Sequence, residues 1–447
     1  MRRHVPKIAL GWLLFGLGSQ FQLWGVSLSF TELFVFAAAP ILFMNELPYM
    51  RRNGMMPFFW LSVVVMIGGG VACLVNHTPF FFVIRGMSVV CLLPCTIVVS
   101  HWMLRSNMNG FKWWLVGAAL SFVLCTFVFQ RSVEVTMQAG GVADKHAAEA
   151  IMSGPIYWIG RIGEILNAPA KGWYLQCPTW YCIGAPLFMA AFSMLTSASG
   201  RSAALGALAS AALVLLGGKK QRTMRRVGRH FWLILIAAII GAFVAKNVYA
   251  YAATHDWLGE ESRRKYEGQT KGDSSMVALL VGGRVESFAG YPACFDNPII
   301  GYGPWARDTK GYGQEFLLKY GTPEDWEALA KQDPDKVGLI AGHSYMESFW
   351  VSYGIFGLIF WLYVLFVFVR YLRQDCWVMP QWYMWLAASI PGYCWGIFFS
   401  PWSDRVGGIL FVVACLMTRA VRKGRQPLPM KMIREIEKSE RALGVSA

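Results

Sequence analysis

Charge is scarce in this chain. Only 15% of its 447 residues are Asp, Glu, Lys or Arg, against roughly 25% in ordinary soluble domains. Acids are scarcer than bases, 26 against 41, which leaves a net charge of +15. Histidine is sparse too: seven residues, scattered, with no HExxH pair to hold a zinc ion. The ten cysteines show no CxxC pattern and no zinc spacing. Cys73, Cys91, Cys95, Cys125, Cys394 and Cys415 lie in apolar runs, where a thiol acts as a small hydrophobe. Cys177, Cys182 and Cys294 lie nearer polar sequence, and a disulfide among them stays open as an alternative. No P-loop and no dinucleotide fingerprint occurs, so nucleotide-driven transport and hydride chemistry lack support. The chain has no repeat of fixed period and no low-complexity tract.

What it has in abundance is apolar sequence: 55% hydrophobic, 15% aromatic, with a mean hydropathy of +0.41. Many runs approach the roughly twenty residues that cross a 30 Å hydrocarbon core. The expected fold class is therefore all-α, a polytopic transmembrane bundle of about twelve spans. The basic residues gather in short loops and the tail, as the positive-inside bias asks. That reading leaves no role for nucleic acid; the lipid bilayer is the expected partner.

From the N-terminus, spans are expected at 8–28, 30–47, 58–75, 86–103 and 111–130. The opening MRRHVPK resembles a signal peptide, but no small-residue cleavage site follows at the right distance, so 8–28 is read as a retained span. Arg51, Arg52, Arg105 and Lys112 then mark inner loops. From the other end, 344–370, 381–400 and 406–417 read as spans before a basic tail. Residues 231–251 follow the run KKQRTMRRVGR, the strongest inner marker. Runs at 179–196 and 202–216 precede it. One crossing is then missing, and 150–170, which carries Arg161 and Glu164, is the poor candidate; a broken or re-entrant segment is the alternative. The division expected is 1–253 for the N-terminal helices, 254–343 for one large, helical outer loop, 344–421 for the C-terminal helices and 422–447 for an inner tail.

Three residues stand out at the outer boundary. His343 precedes an apolar run in AGHSYMES, with Ser344 placed to cap a helix and Glu347 one helical turn on. A carboxylate there is suited to holding an imidazole in one tautomer; the plain alternative is a histidine that merely tolerates the interface. Arg201, in TSASGRSAALG, sits at the outer end of a small-residue helix and is either a headgroup contact or a snorkelling anchor. Arg284 follows two glycines in GGRVESF, which let backbone approach a ligand; otherwise it is a solvated loop charge. Asp333 and Asp335 form a DxD that reads as a polar turn. In the same loop, THDWLGEESRRKYEGQ and TPEDWEALAKQ read as short helices, and NPIIGYGPW as turns.

These pieces in order, TSASGRSAALG, GGRVESFAGYPACFDNPIIGYGP and HSYMESFWVSYGIFG, resemble the O-antigen ligase and O-antigen polymerase superfamily of bacterial inner membranes. The resemblance covers about 170–370. Ser344 stands where asparagine is commonest, and Gly200 where serine is usual. The resemblance implies a metal-independent, inverting glycosyltransferase without a cofactor, working at the periplasmic face on an undecaprenyl-diphosphate-linked oligosaccharide. It implies Arg201 and Arg284 as diphosphate ligands and His343 as the group that activates an acceptor hydroxyl. Glu347 would support the histidine, and Tyr302, Trp305 and Tyr345 would stack on sugars. The acceptor would be a growing glycan, a lipid A–core, or a protein. A flippase of lipid-linked sugars and a scaffold without an active site are the competing classes; the flippase predicts paired broken helices in two matching halves.

Overall fold

The computed structural model describes residues 20–23, 26–106, 229–255, 257, 259–270, 288–313, 315–316, 338–340, 342–375, 380–399 and 405–425. The protein is helical. Its described elements are strands β1 (Gln20–Leu23) and β2 (Val26–Ser29), helices α1 (Phe30–Asn53), α2 (Met56–Val75), α3 (Phe80–Ser106), α4 (Phe231–Thr254) and α5 (Glu260–Thr270), the short α6 (Tyr291–Asp296), then α7 (Tyr345–Arg370), a π turn (Tyr371–Asp375), α8 (Pro380–Phe399) and α9 (Arg405–Arg422). Among the described residues, four segments are long and apolar enough to cross a bilayer: Glu32–Asn53, Met56–Val75, Phe80–Arg105 and Tyr345–Asp375. The expected spans at 111–130, 150–170, 179–196 and 202–216 lie outside the described residues.

The first expected span is corrected. Residues 8–19 of it lie outside the described residues, and its last part holds strands Gln20–Leu23 and Val26–Ser29, paired with Gln20 opposite Ser29 and Leu23 opposite Val26. Gln20, Gln22, Ser27 and Ser29 alternate with Phe21, Leu23, Val26 and Leu28, and a two-residue period suits a strand better than a helix. The third span begins at Met56, close to expectation. The fourth starts earlier than expected, at Phe80, because Arg85 is accommodated one turn inside the helix.

Helix α3 is the centre of the bundle, packed against α1, α2 and α9. The last helix is longer than expected, and its apolar stretch is core: Ile409 to Met417 are all buried. Other apolar side chains stay exposed, with Leu74 of α2 and Phe80, the first residue of α3, each at 78%. Exposed apolar surface of that extent suits hydrocarbon rather than water.

The largest departure from expectation is in α7. Sequence predicts one long span over 344–370, but the helix is interrupted at Gly354, with φ 61° and ψ −150°. That backbone region is essentially reserved for glycine. The two limbs, 345–353 and 355–370, fold back on each other. Tyr345 and Trp361 have ring centroids 5.1 Å apart, whereas sixteen residues of unbroken helix would separate them by about 24 Å. Phe349 likewise meets Phe360 at 6.0 Å and Trp361 at 5.4 Å. Gly357 permits the close approach: a Cβ there would lie 2.2 Å from the Phe349 carbonyl oxygen. Only 355–375 remains to cross, about the twenty residues a bilayer requires.

Candidate active site

The fold-back decides where His343 sits. The first limb begins beside Trp361, seven residues past the break, so its N-terminus lies about 10 Å along the second limb rather than above the bundle. Ser344 is the N-cap: its backbone is extended, and its side chain accepts the Glu347 N–H at 3.0 Å. Glu347 occupies the third helical position, as in a capping box. It is fully buried. Its Oε2 accepts the backbone N–H of His343 at 3.0 Å, and its Oε1 accepts the N–H of Gly290 at 2.6 Å. The carboxylate therefore fastens backbone on two segments, one carrying His343 and one starting six residues after Arg284. His343 itself is half-buried.

Helix α6 forms the second wall. Gly290 is its N-cap and Pro292 stands in its first turn, where a missing N–H costs nothing. Burial first, and then the neighbouring Glu347, pushes the pKa of the Tyr291 hydroxyl up to about 12. Tyr291 thus stays a proton donor at neutral pH. Cys294 is a free, buried thiol whose sulfur lies 3.9 Å from the Glu347 carbonyl oxygen. Burial and Glu347 push its pKa well up, so it behaves as a packed thiol rather than a nucleophile. Trp350 closes this wall, with Tyr291 and Phe295 edge-on to its ring and its Nε1–H donating to the Pro298 carbonyl at 3.1 Å.

The turn-rich NPIIGYGPW segment enters the break in α7. Breaking the helix frees the carbonyls of Val351 and Ser352, which accept N–H bonds from Tyr302 at 2.7 Å and Gly303 at 3.1 Å. The Ile355 N–H donates back to the Ile299 carbonyl at 3.2 Å. Asn76, at the end of α2, donates to the Gly301 carbonyl at 3.0 Å. Arg85 of α3 lies 3.7 Å above the Trp305 ring, a cation–π contact. Beyond it, Ala306 and Asp308 pair with Ile340 and Gly338, which returns the chain to His343. The loop is thus stitched to α2, α3 and both limbs of α7, and backbone groups do most of the stitching.

An exposed polar cluster borders this segment. The Asp296 carboxylate accepts from Lys310 Nζ and from the Tyr312 hydroxyl, both at 2.6 Å, and from the Tyr302 hydroxyl. Lys310 first, then the two tyrosines, holds its pKa well below the usual carboxylate range.

Of the expected site residues, His343, Glu347, Tyr302 and Tyr345 are described, while Arg201 and Arg284 lie outside the described residues. The structure brings His343 and Glu347 together, through the backbone. Tyr302 is part of the Asp296 cluster with its ring half-buried. Tyr345 is 7% exposed, enclosed by Trp361 and Gly396, and offers no open face for a sugar. Sequence reasoning missed Gly290, Tyr291, Asn76, Arg85 and Gly354. The two glycines of YGIFG inside an apolar run were the available signal for the break.

Among the described residues no group of His, Cys, Asp and Glu is arranged to hold a metal ion. Comparison of the chain with family models, with curated proteins and with solved structures finds no match. The functional reading therefore rests on the motifs and on the geometry described above.

Proposed function

We propose that this chain is a multi-pass glycosyltransferase of a bacterial inner membrane. It uses an undecaprenyl-diphosphate-linked glycan as donor at the periplasmic face, and either polymerises surface-polysaccharide repeat units or ligates them to an acceptor. The observation that carries the reading is the buried Glu347 carboxylate. It ties His343 to Gly290, so the two motif segments meet, 53 residues apart along the chain between Gly290 and His343.

In this reading His343 accepts the proton of the acceptor hydroxyl as that oxygen attacks the anomeric carbon. The bond from that carbon to the diphosphate oxygen breaks, with inversion, and undecaprenyl diphosphate leaves. The proton passes from the imidazole to solvent. A neutral histidine is a competent base near pH 7. The charge that grows on the diphosphate is met by the guanidinium forks of Arg201 and Arg284, which match phosphate oxygens two at a time. The first limb of α7 adds the positive end of its dipole beside His343. No step calls for a metal ion.

Deleting the gene in its host and examining both surface glycolipid and the lipid-linked pool tests this. Core capped with a single repeat unit marks a polymerase. Naked core, with long glycan held on the polyprenyl carrier, marks a ligase. If neither pool changes, the reading fails for both, and a protein acceptor is the next to assay. His343→Ala should reproduce the deletion while the protein still inserts; normal polysaccharide from that variant would remove His343 from the mechanism.

A further inference from the structure

The end of the bundle opposite His343 carries a second feature. Helix α2 spans about 30 Å at its rise per residue. Its Val75 end meets the GYG turn through Asn76, and at its other end Gly54 touches Arg425. Around that far end gather Arg370 from the end of α7, Arg419 and Arg422 from the last turn of α9, and Lys423 and Arg425 just beyond it. The basic end of α1, with Arg51 and Arg52 both exposed, adjoins them.

Compensation for this charge is thin. One carboxylate, Asp375, lies among these residues; it is buried, and its Oδ1 is 2.7 Å from Arg422 Nε. Arg370 lies 4.0 Å from its other oxygen. Arg419 and Lys423 feel the charge of Asp375 from farther off, and among the described residues neither they nor Arg425 forms a close ion pair with a carboxylate. Two helix C-termini supply about half a negative charge each. Among the described residues, Asp375 and these helix ends offset about two of the five positive charges. Two features show that the excess is felt. Lys423 is fully exposed, yet its pKa is pushed below its ordinary value, by Arg419 first and then by slight desolvation, Arg425, Arg370 and Arg422. The Arg370 Nε is buried without a hydrogen-bond acceptor.

We infer that Arg370, Arg419, Arg422 and Lys423 form a binding site for the phosphate headgroup of an anionic phospholipid, at the bundle end opposite His343. The chemistry fits. A phosphodiester brings one negative charge and several acceptor oxygens, and guanidinium groups on neighbouring helix ends present donors to it. The site lies where apolar helices end, which is where headgroups reside. A phospholipid also brings acyl chains that lie along the exposed apolar side chains Leu362 and Phe366 of α7.

The test uses the full-length protein purified in detergent. Samples are supplemented with phosphatidylglycerol, with phosphatidylcholine, or with inorganic phosphate, then examined by native mass spectrometry and thermal melting. The wild type should retain phosphatidylglycerol over phosphatidylcholine and melt higher with it. The double variant Arg419→Gln, Lys423→Gln should bind phosphatidylglycerol about twenty-fivefold more weakly, at roughly fivefold per cation removed. Lys423→Gln alone, an exposed change that leaves packing intact, should show the single fivefold step. Equal retention by wild type and Lys423→Gln overturns the site. So does stabilisation by inorganic phosphate that phosphatidylglycerol does not match, which would mark a site for a soluble anion. Neither result depends on transferase activity.

Discussion

Glu347→Gln is the most informative single change. The substitution preserves shape and volume, so it tests hydrogen bonding rather than packing. The native carboxylate offers one oxygen to the Gly290 N–H at 2.6 Å and the other to the His343 N–H at 3.0 Å. An amide offers one oxygen only. Its NH2 must then face one of the two backbone donors, and that N–H loses its acceptor in a site where Glu347 is fully buried. An unsatisfied buried donor costs about 1–3 kcal/mol. The junction of α6 with the first limb of α7 should therefore open roughly five- to a hundredfold more often, at a factor of ten per 1.4 kcal/mol. Hydrogen exchange read by mass spectrometry on full-length protein in nanodiscs measures this. Peptides spanning 288–296 and 342–348 should exchange faster by that factor, while those from α3 and α9 should not change. Polysaccharide output in the host should fall together with the protection. Unchanged exchange at both junction peptides would refute the role given to the carboxylate, and output that fell without such a change would point to Glu347 acting directly on substrate.

Gly354→Ala should be far more damaging. It places a side chain at φ 61° and a Cβ 2.0 Å from the Ile299 carbonyl oxygen; the backbone term alone is about 1–3 kcal/mol. Accumulation of the full-length protein in membranes should collapse, and a wild-type melting temperature would refute the fold-back. Arg85→Ala removes the stack on Trp305 and should cost about 0.5–2 kcal/mol, seen as faster exchange over 300–308 with the bundle unaffected; uniform protection would show the contact to be idle. The Asp296 cluster gives a pH dependence. A carboxylate whose folded pKa is depressed contributes its stabilisation above the ordinary value of about 3.9 and loses it as pH falls further, through the folded pKa. Exchange over 296–312 should thus be flat from neutral pH down to about 5, after correction for intrinsic rates, and rise below about 4. Asp296→Asn should show the raised exchange at every pH, and a wild-type transition near pH 6 would contradict the assignment.

Much of the bundle is legible residue by residue. Met56–Val75 falls within two residues of the expected 58–75, because a continuous apolar run of bilayer length has one reading, whereas helix Pro380–Phe399 matches the bounds 381–400 but only its Ile390–Phe399 part is an apolar stretch. The Ser344 cap was legible from Ser–x–x–Glu spacing. Arg85 was not. A charge inside an apolar run normally ends a span, and one of its contacts is the Trp305 ring, more than two hundred residues away. The four-residue spacing points Glu347 at the imidazole, yet its carboxylate bonds run to backbone, one of them on a segment that spacing does not bring near.

The sequence by itself determined that this is a helical chain with apolar segments suited to a bilayer, and that polar, turn-rich sequence concentrates around 284–347. Those properties follow from composition and local periodicity, which each residue carries independently of its partners. The fold-back at Gly354 belongs to the tertiary structure. An apolar run with two glycines is compatible with a straight helix or a broken one. The break is favoured only when another segment satisfies the carbonyls it frees, and here Tyr302 and Gly303 do so. The depth of His343 in the bundle and its connection to Gly290 follow from that pairing, and no property of residues 343–370 taken alone specifies them.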